Sequence, residues 1–255
     1  METNSRYELR DDQWERLVHL LPPERTGKKG RPAHDNRNMV NAMLWINRSG
    51  APWRDLPATY GSWKSVHTRF RRWRELGIFE RILEQLANEP DEESRMIDAT
   101  HVRVHQHAAG AKGGASQAIG RFRGGLTTKV HAIVDALGNP LRFRLTPGNF
   151  ADCTIGYDML ASMDLRGRIV IADRGYDTDR ILNLLQEQQA TAVIPSRLHR
   201  RVQRETDWWV YKERHLVECL FNKLKNYRRL ATRYDKLAAS FSAFLSLAAI
   251  VLWLA

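Results

Sequence analysis

The apolar residues change their spacing once, near residue 94, and this switch limits the chain to a helical first part followed by a layered α/β part. Before the switch the spacing is helical: Leu9, Trp14, Leu17, Leu20 and Leu21, then Met39, Val40, Met43, Leu44 and Ile46. Gly50, Pro52, Pro57 and Gly61 mark a turn. Ser62 is then expected to cap a helix with apolar positions Trp63, Val66, Phe70 and Trp73. After the switch, residues 95–104 and 127–134 have strand composition, and Leu141, Phe143 and Leu145 alternate with Arg142 and Arg144 as a half-exposed antiparallel strand would. Gly138-Asn139-Pro140 turns the chain between the last two. Residues 152–163 read as a helix, 169–172 as a strand covered on both faces, 178–189 as a helix, 192–194 as another buried strand, and residues from 211 onward as helices. Three strands, helix, strand, helix and strand predict a mixed sheet.

Charge follows the same division. Residues 1–94 hold 16 Lys and Arg against 15 Asp and Glu, whereas residues 95–255 hold 24 against 14, so nearly all of the formal +11 lies in the second part. The acidic run Glu89-Pro90-Asp91-Glu92-Glu93 reads as a linker, which gives domains 1–94 and 95–255. A pI near 10 points to a polyanionic partner, and 43% hydrophobic residues over 255 positions exclude a disordered or disulfide-scaffold chain.

The nearly neutral first part contains one basic concentration, five basic residues and no acid over residues 64–74. On a helix, Lys64, Ser65, Thr68, Arg69, Arg71 and Arg72 face away from the apolar stripe, the layout of a helix that enters a DNA groove; the alternative is a solvated basic face. Residues 105–125 and 197–207, the latter with Arg197, Arg200, Arg201 and Arg204, are expected to be mobile basic loops. Cys153 and Cys219 lack C-x-x-C spacing and are expected as free thiols. The first seventeen residues are polar, with no apolar secretion segment. Residues 237–255 are apolar but interrupted by Ser240, Ser242 and Ser246, so a core helix is expected there, with no membrane span and a cytoplasmic location.

Three acids stand where a fold would not choose them. Asp98 lies inside the first strand, on the pleat face of Thr100, Val102 and Val104, although strands disfavour Asp and a buried carboxylate needs a cation or donors. Asp173 ends an apolar strand, where open α/β sheets bind ligands; the alternative is a turn-capping Asp, and Asp177 is the better-placed N-cap for the next helix. Glu218 lies in a helix read over residues 211–229. Measured from it at about 100° per residue, Tyr211, Arg214 and Lys225 fall within about 40°, opposite Leu216, Leu220 and Leu224. Two acids on strands and one on a helix suit two-metal phosphoryl chemistry, with hard oxygen ligands for Mg²⁺ and neighbouring cations for phosphates.

The spacing Tyr211-x2-Arg214-x3-Glu218-x6-Lys225 resembles the signature around the catalytic glutamate of bacterial insertion-sequence DDE transposases. Ile97-Asp98-Ala99-Thr100 is similar to that family's first catalytic motif and Ala172-Asp173-Arg174-Gly175-Tyr176-Asp177 to its second. Residues 124–129 and 135–140 resemble the insertion-sequence-five group. The resemblance implies an α/β fold: an RNase H-like catalytic domain with a mixed sheet, preceded by a small all-helical, helix-turn-helix-like DNA-binding domain for the element's terminal repeats. It also implies Asp98, Asp173 and Glu218 as catalytic and metal-binding residues for two Mg²⁺ (or Mn²⁺) ions. Tyr211 and Lys225 are then expected to contact DNA, and Arg214 to orient the glutamate or a phosphate. Lys64, Arg69, Arg71 and Arg72 complete the DNA-binding candidates. Gly148-Asn149-Phe150-Ala151-Asp152 follows the family's pattern only loosely, and no role is carried over to Asp152.

The implied reaction is metal-dependent cleavage at the element's ends followed by attack of the freed 3′-hydroxyl on target DNA. The implied partners are double-stranded terminal inverted repeats and target DNA, bound as a homodimer or larger assembly in the bacterial cytoplasm near the nucleoid. Two alternatives share the residues: an RNase H-like nuclease without strand transfer, and an inactive transposase-derived DNA-binding protein. Zinc at His101, His105 and His107 is disfavoured because no nearby cysteine completes a site. Phe122, Trp208 and Trp209 lie in or beside basic loops and are expected to fill a core, with base stacking as the alternative.

Overall fold

The computed structural model describes residues 7–24, 35–87, 90–110 and 117–255. Met1–Arg6, Glu89 of the expected linker, and residues 111–116 of the first expected loop lie outside the described residues. Two compact units emerge, one from Met1–Leu86, Leu224–Thr232 and Ala239–Ala255, the other from Ala87–Lys223 and Arg233–Ala238. That division departs from a single boundary at residue 94, because the C-terminal segment groups with the first helices.

The first unit holds α1 (Asp11–Val18), α2 (Asn36–Ser49), α3 (Trp63–Glu75), α4 (Ile78–Leu86), the single turn α9 (Arg228–Ala231) and most of α10 (Ala238–Trp253). Asp35 caps α2 by accepting from the Arg37 N–H, and Gly50 ends it in a left-handed conformation with φ 70°. A side chain at Gly50 would also come within 3.0 Å of Arg228 Cβ, so a residue without Cβ is needed twice over. The α3 faces divide as expected: Val66, Phe70 and Trp73 are buried while Lys64, Thr68, Arg71 and Arg72 are exposed. Ser62 stands at the N-cap position but makes no capping bond. Helix α10 is apolar around nearly its whole circumference, and Phe244 stacks on Phe70 at 4.4 Å while its carbonyl accepts from Asn47 Nδ2 at 2.9 Å. No described helix is long and apolar enough to cross a membrane.

The second unit is built on a mixed sheet of seven strands: β1 (Ser94–Val104), β2 (Gly120–Phe122), β3 (Gly125–Val134), β4 (Pro140–Pro147), β5 (Ile169–Ile171), β6 (Thr191–Val193) and β7 (Thr232–Arg233). The path runs β2-β3-β1-β5-β6, with β4 also on β3 and β7 on β1. β1, β3 and β4 pair antiparallel, and β5 and β6 join β1 in parallel. This is the expected α/β arrangement with a mixed sheet. α5 (Asp152–Ala161) and α6 (Asp179–Glu187) connect β4 to β5 and β5 to β6, and bury Ile155, Met159, Ile181 and Leu185 against Ile97, Ile133 and Val170. Two strand expectations change. β2 was hidden in a Gly-rich stretch, and β6 is an edge strand with Thr191 and Ala192 exposed, no strand among the described residues pairing beyond it.

The helix expected over residues 211–229 is broken into pieces. α7 (Trp208–Tyr211) leads through a tight 3₁₀ turn at Lys212–Arg214 into α8 (His215–Lys225), and α9 follows after an extended Tyr227. The buried stripe of α8 is Val217, Leu220, Phe221 and Leu224. Leu216 is only half-buried, with Gly138 of the β3–β4 turn against it: a Cβ on Gly138 would lie 3.2 Å from Leu216 Cβ.

Candidate active site

Asp98 faces away from the α5 and α6 layer. Its neighbour Ile97 belongs to that core, and alternation along β1 turns Asp98 to the other face with Val102 and Val104. One carboxylate oxygen accepts from the Ala99 N–H at 2.7 Å and the other from Arg214 Nη1 at 2.6 Å. The second terminal nitrogen of the same guanidinium, Nη2, donates to Glu218 Oε1, one helical turn further on. A single fork therefore joins a strand acid and a helix acid 120 positions apart in the chain. Burial raises the Asp98 carboxyl above the ordinary Asp range and the charge of Asp173 pushes the same way, while the Ala99 N–H and Arg214 pull against them.

Asp173 lies two residues past the end of β5 and caps the 3₁₀ turn Arg174–Tyr176, its Oδ1 accepting from the Gly175 N–H at 2.8 Å. A Cβ on Gly175 would stand 2.8 Å from that oxygen, so the close approach depends on glycine. The turn-capping alternative thus describes a real contact of Asp173, and the carboxylate keeps a second oxygen for other use.

Asp177 does not cap α6. Thr178 does, accepting from the Ile181 N–H at 3.3 Å. The Asp177 side chain is instead fully buried and accepts from the Arg197 N–H at 2.7 Å, Arg200 Nε at 2.7 Å and Arg204 Nη2 at 2.6 Å. Desolvation pushes this carboxyl up, but the three donors outweigh it and hold it below the ordinary range. The stretch expected as a mobile basic loop is accordingly pinned: Arg200 also reaches Asp179 at 2.7 Å, and the Arg204 N–H donates to Ser196 Oγ at 2.9 Å.

A second buried polar group was not legible in the sequence. His131 is fully buried beside Lys129, which pairs with Asp152 at 2.9 Å. The Asp152 left without a role in the sequence thus anchors the start of α5 to β3.

Of the other candidates, Tyr211 and Arg214 are half-buried and Lys225 is the exposed last residue of α8. In the first unit, Lys64, Ser65, Thr68, Arg69 and Arg72 line a shallow depression of about 300 Å³, and Arg69 Nη1 donates to Asn36 Oδ1 at 2.6 Å. Trp208 and Trp209 are 55% and 79% exposed, so the expectation that they fill a core is overturned. Asp207 caps the one-turn helix that carries them, and none of that helix's residues is buried. Phe122 stacks on His101 at 4.4 Å and is also exposed. That contact, with His101 Nε2 at 3.1 Å from the Gly148 carbonyl, separates His101 in role from His105 and His107, which lie against each other.

Among the described residues no three His, Cys, Asp or Glu side chains are gathered closely enough to hold a metal ion outright. The donor chemistry nevertheless suits a hard divalent cation: Asp98, Asp173 and Glu218 offer only oxygens, Asp98 is raised by burial and by Asp173, and Arg214 supplies positive charge to two of the three.

Comparison with known proteins gives matches along most of the chain. A family model described as "Putative transposase of IS4/5 family" matches residues 9–83, and one described as "Transposase DDE domain" matches residues 89–254. The chain is 44% identical over 130 residues to the "Putative transposase for insertion sequence element IS6501" of Brucella ovis, covering 51% of this chain and 99% of that one. It is 33% identical over 130 residues to the "Putative transposase for insertion sequence element IS402" of Burkholderia cepacia, covering 47% and 59%. Among solved structures, a piggyBac transposase synaptic complex with hairpin DNA aligns at TM-score 0.42 and 14% identity, over 76% of this chain and 50% of that one. A Mos1 transposase paired-end complex aligns at TM-score 0.29 and 12% identity, over 84% and 81%.

Proposed function

We propose, from the premise that this chain belongs to the DDE transposase family, whose domain spans residues 89–254, that it cuts the ends of an insertion sequence and joins the freed 3′-hydroxyls to target DNA. The observation that carries this reading is the shared guanidinium: Arg214 binds Asp98 and Glu218 at once, bringing the first and third acidic motifs to one place, within electrostatic reach of Asp173. Asp98, Asp173 and Glu218 would hold divalent metal, which in this reading is two Mg²⁺ (or Mn²⁺) ions that activate the attacking oxygen and stabilise the leaving one.

Each of the chain's own groups has a task in that scheme. Arg214 keeps Glu218 and Asp98 oriented and, by sharing its charge between them, offsets their repulsion. Tyr211 and Lys225 would contact the transposon end, and Lys64, Arg69, Arg71 and Arg72 would bring α3 to the terminal repeat through its phosphates. Cutting two ends together calls for at least two copies of the chain, so a homodimer or larger assembly on DNA belongs to the proposal, as does the bacterial cytoplasm and nucleoid as its place of work.

Asp98→Asn tests the assignment, because it keeps shape and one acceptor while removing the charge. Mg²⁺-dependent cleavage of end DNA is expected to fall by several orders of magnitude, with mobility-shift binding of the same DNA retained. Cleavage at the unaltered rate would reject the site. Joined products in a strand-transfer assay separate a transposase from a nuclease that only cuts.

A further inference from the structure

We propose that Asp177 and Arg197 are positioning residues for Asp173, acting through one peptide group of the turn between them; the inference rests on Asp173 being a metal-holding acid. The N–H of Gly175 and the carbonyl of Arg174 belong to the same peptide unit. That N–H donates to Asp173 Oδ1 at 2.8 Å, and that carbonyl accepts from Arg197 Nε at 3.1 Å. In a trans peptide the two groups point in opposite directions, so guanidinium, peptide and carboxylate form a head-to-tail chain. A cation on the carbonyl polarises the amide and makes its N–H a stronger donor to the carboxylate. Arg197 Nη2 also binds the next carbonyl, Gly175 O, at 2.6 Å, which fixes the plane of the fork against the turn.

Asp177 supplies the other end of this bracket. Its fully buried carboxylate fixes the backbone of Arg197 through the 2.7 Å N–H bond and holds Arg200 and Arg204, so the segment that carries Arg197 has little freedom to swing. The capping of α6 does not need Asp177, since Thr178 performs it. From the core side, Tyr176 is buried against Gly156, where a Cβ would lie 2.5 Å from the ring. The turn is thereby gripped on both sides, and of the four residues after Asp173 only the Arg174 side chain is left out of the bracket. Groups that orient a metal ligand typically change metal affinity by about 10- to 100-fold when removed.

The test is Mn²⁺ binding to the purified full-length chain without DNA, read from the electron paramagnetic resonance of the free ion, alongside thermal unfolding. Asp173→Ala serves as the reference. Arg197→Ala and Asp177→Asn are each expected to weaken Mn²⁺ binding by about 10- to 100-fold, and Arg197→Lys, which restores the charge without the two-pronged fork, to recover part of it. Arg201→Ala, an exposed loop arginine outside the bracket, is expected to leave Mn²⁺ binding unchanged. Asp177→Asn removes the one buried charge that Arg200 and Arg204 share and is expected to unfold at a lower temperature. Arg197→Ala removes only bonds to turn carbonyls that water can replace, so it stays folded and decides the matter. Weakening in Asp173→Ala with wild-type affinity in Arg197→Ala overturns the bracket alone. Wild-type affinity in Asp173→Ala overturns the metal reading on which the bracket rests.

Discussion

At the scale of single residues, the buried His131 ties pH to stability. Its Nε2 lies 2.9 Å from Thr146 Oγ1, its Nδ1 has no hydrogen-bond partner, and Asp152 is 3.7 Å away. Burial, aided by Lys129, Arg144 and His101 and opposed by Asp152, lowers its pKa to about 4. An unfolded chain protonates this imidazole at about 6.5, a proton the folded chain refuses until about 4, so its contribution is complete above pH 6.5 and is lost as pH falls toward 4. The loss should reach about 3 kcal/mol. Urea unfolding at pH 7.5 and 4.5 is expected to show this fall in the wild type and a flatter response in His131→Gln; equal falls would remove His131 as the cause. The carboxylate of Asp177, held low, gives way only at more acid pH, which keeps the two effects apart. Residues of this scale were unevenly legible. Asp98, Asp173 and Glu218 stood out because each offends a local preference or repeats a fixed spacing. Asp177 and Arg197 offend nothing locally: their meaning lies in a carbonyl and a carboxylate some twenty positions away, which no spacing reveals.

At the scale of elements, periodicity reported the faces well and the ends poorly. The buried stripe of α3 was readable from its spacing, as was the alternation of β4, because burial on one face imposes a period. The break between α8 and α9 was not, since nothing in the composition of residues 211–229 forbids a continuous helix; Tyr227 is extended there, its ring buried and the Arg48 guanidinium 3.9 Å from the ring centre. The exposed face of α3 carries a prediction of its own. If it meets DNA through phosphates, Arg72→Ala should weaken binding to every duplex by a similar factor and reduce the slope of log affinity against log salt by about one. Fluorescence anisotropy across a KCl series measures both. An unchanged slope would leave the basic face merely solvated.

At the scale of the whole molecule, the polypeptide crosses between its two compact units four times, and the first unit is not complete until the last helix has been made. The family matches divide between residues 83 and 89, close to the change of periodicity, yet Ala239–Ala255 packs with the segment before that division. The physical reason lies in α10: a helix apolar on all sides needs cover all round, and Phe70, Trp53 and Asn47 provide part of it through Phe244. No local pattern could have announced this, because the hydropathy of residues 238–253 states that the helix is buried without stating against what. The consequence is that residues 1–94 expressed alone should leave Trp53, Phe70 and Asn47 short of partners and fail to unfold cooperatively. In the full chain, Phe244→Ala should cost about 3–5 kcal/mol, as for other buried Phe truncations, and the loss should fall on the first unit. Tryptophan emission reports on it through Trp53, 5.9 Å from Phe244, and Trp73, packed on Phe79. An isolated 1–94 fragment that unfolds as sharply and at the same urea concentration as this unit does in the intact chain would show that the last helix is dispensable to it.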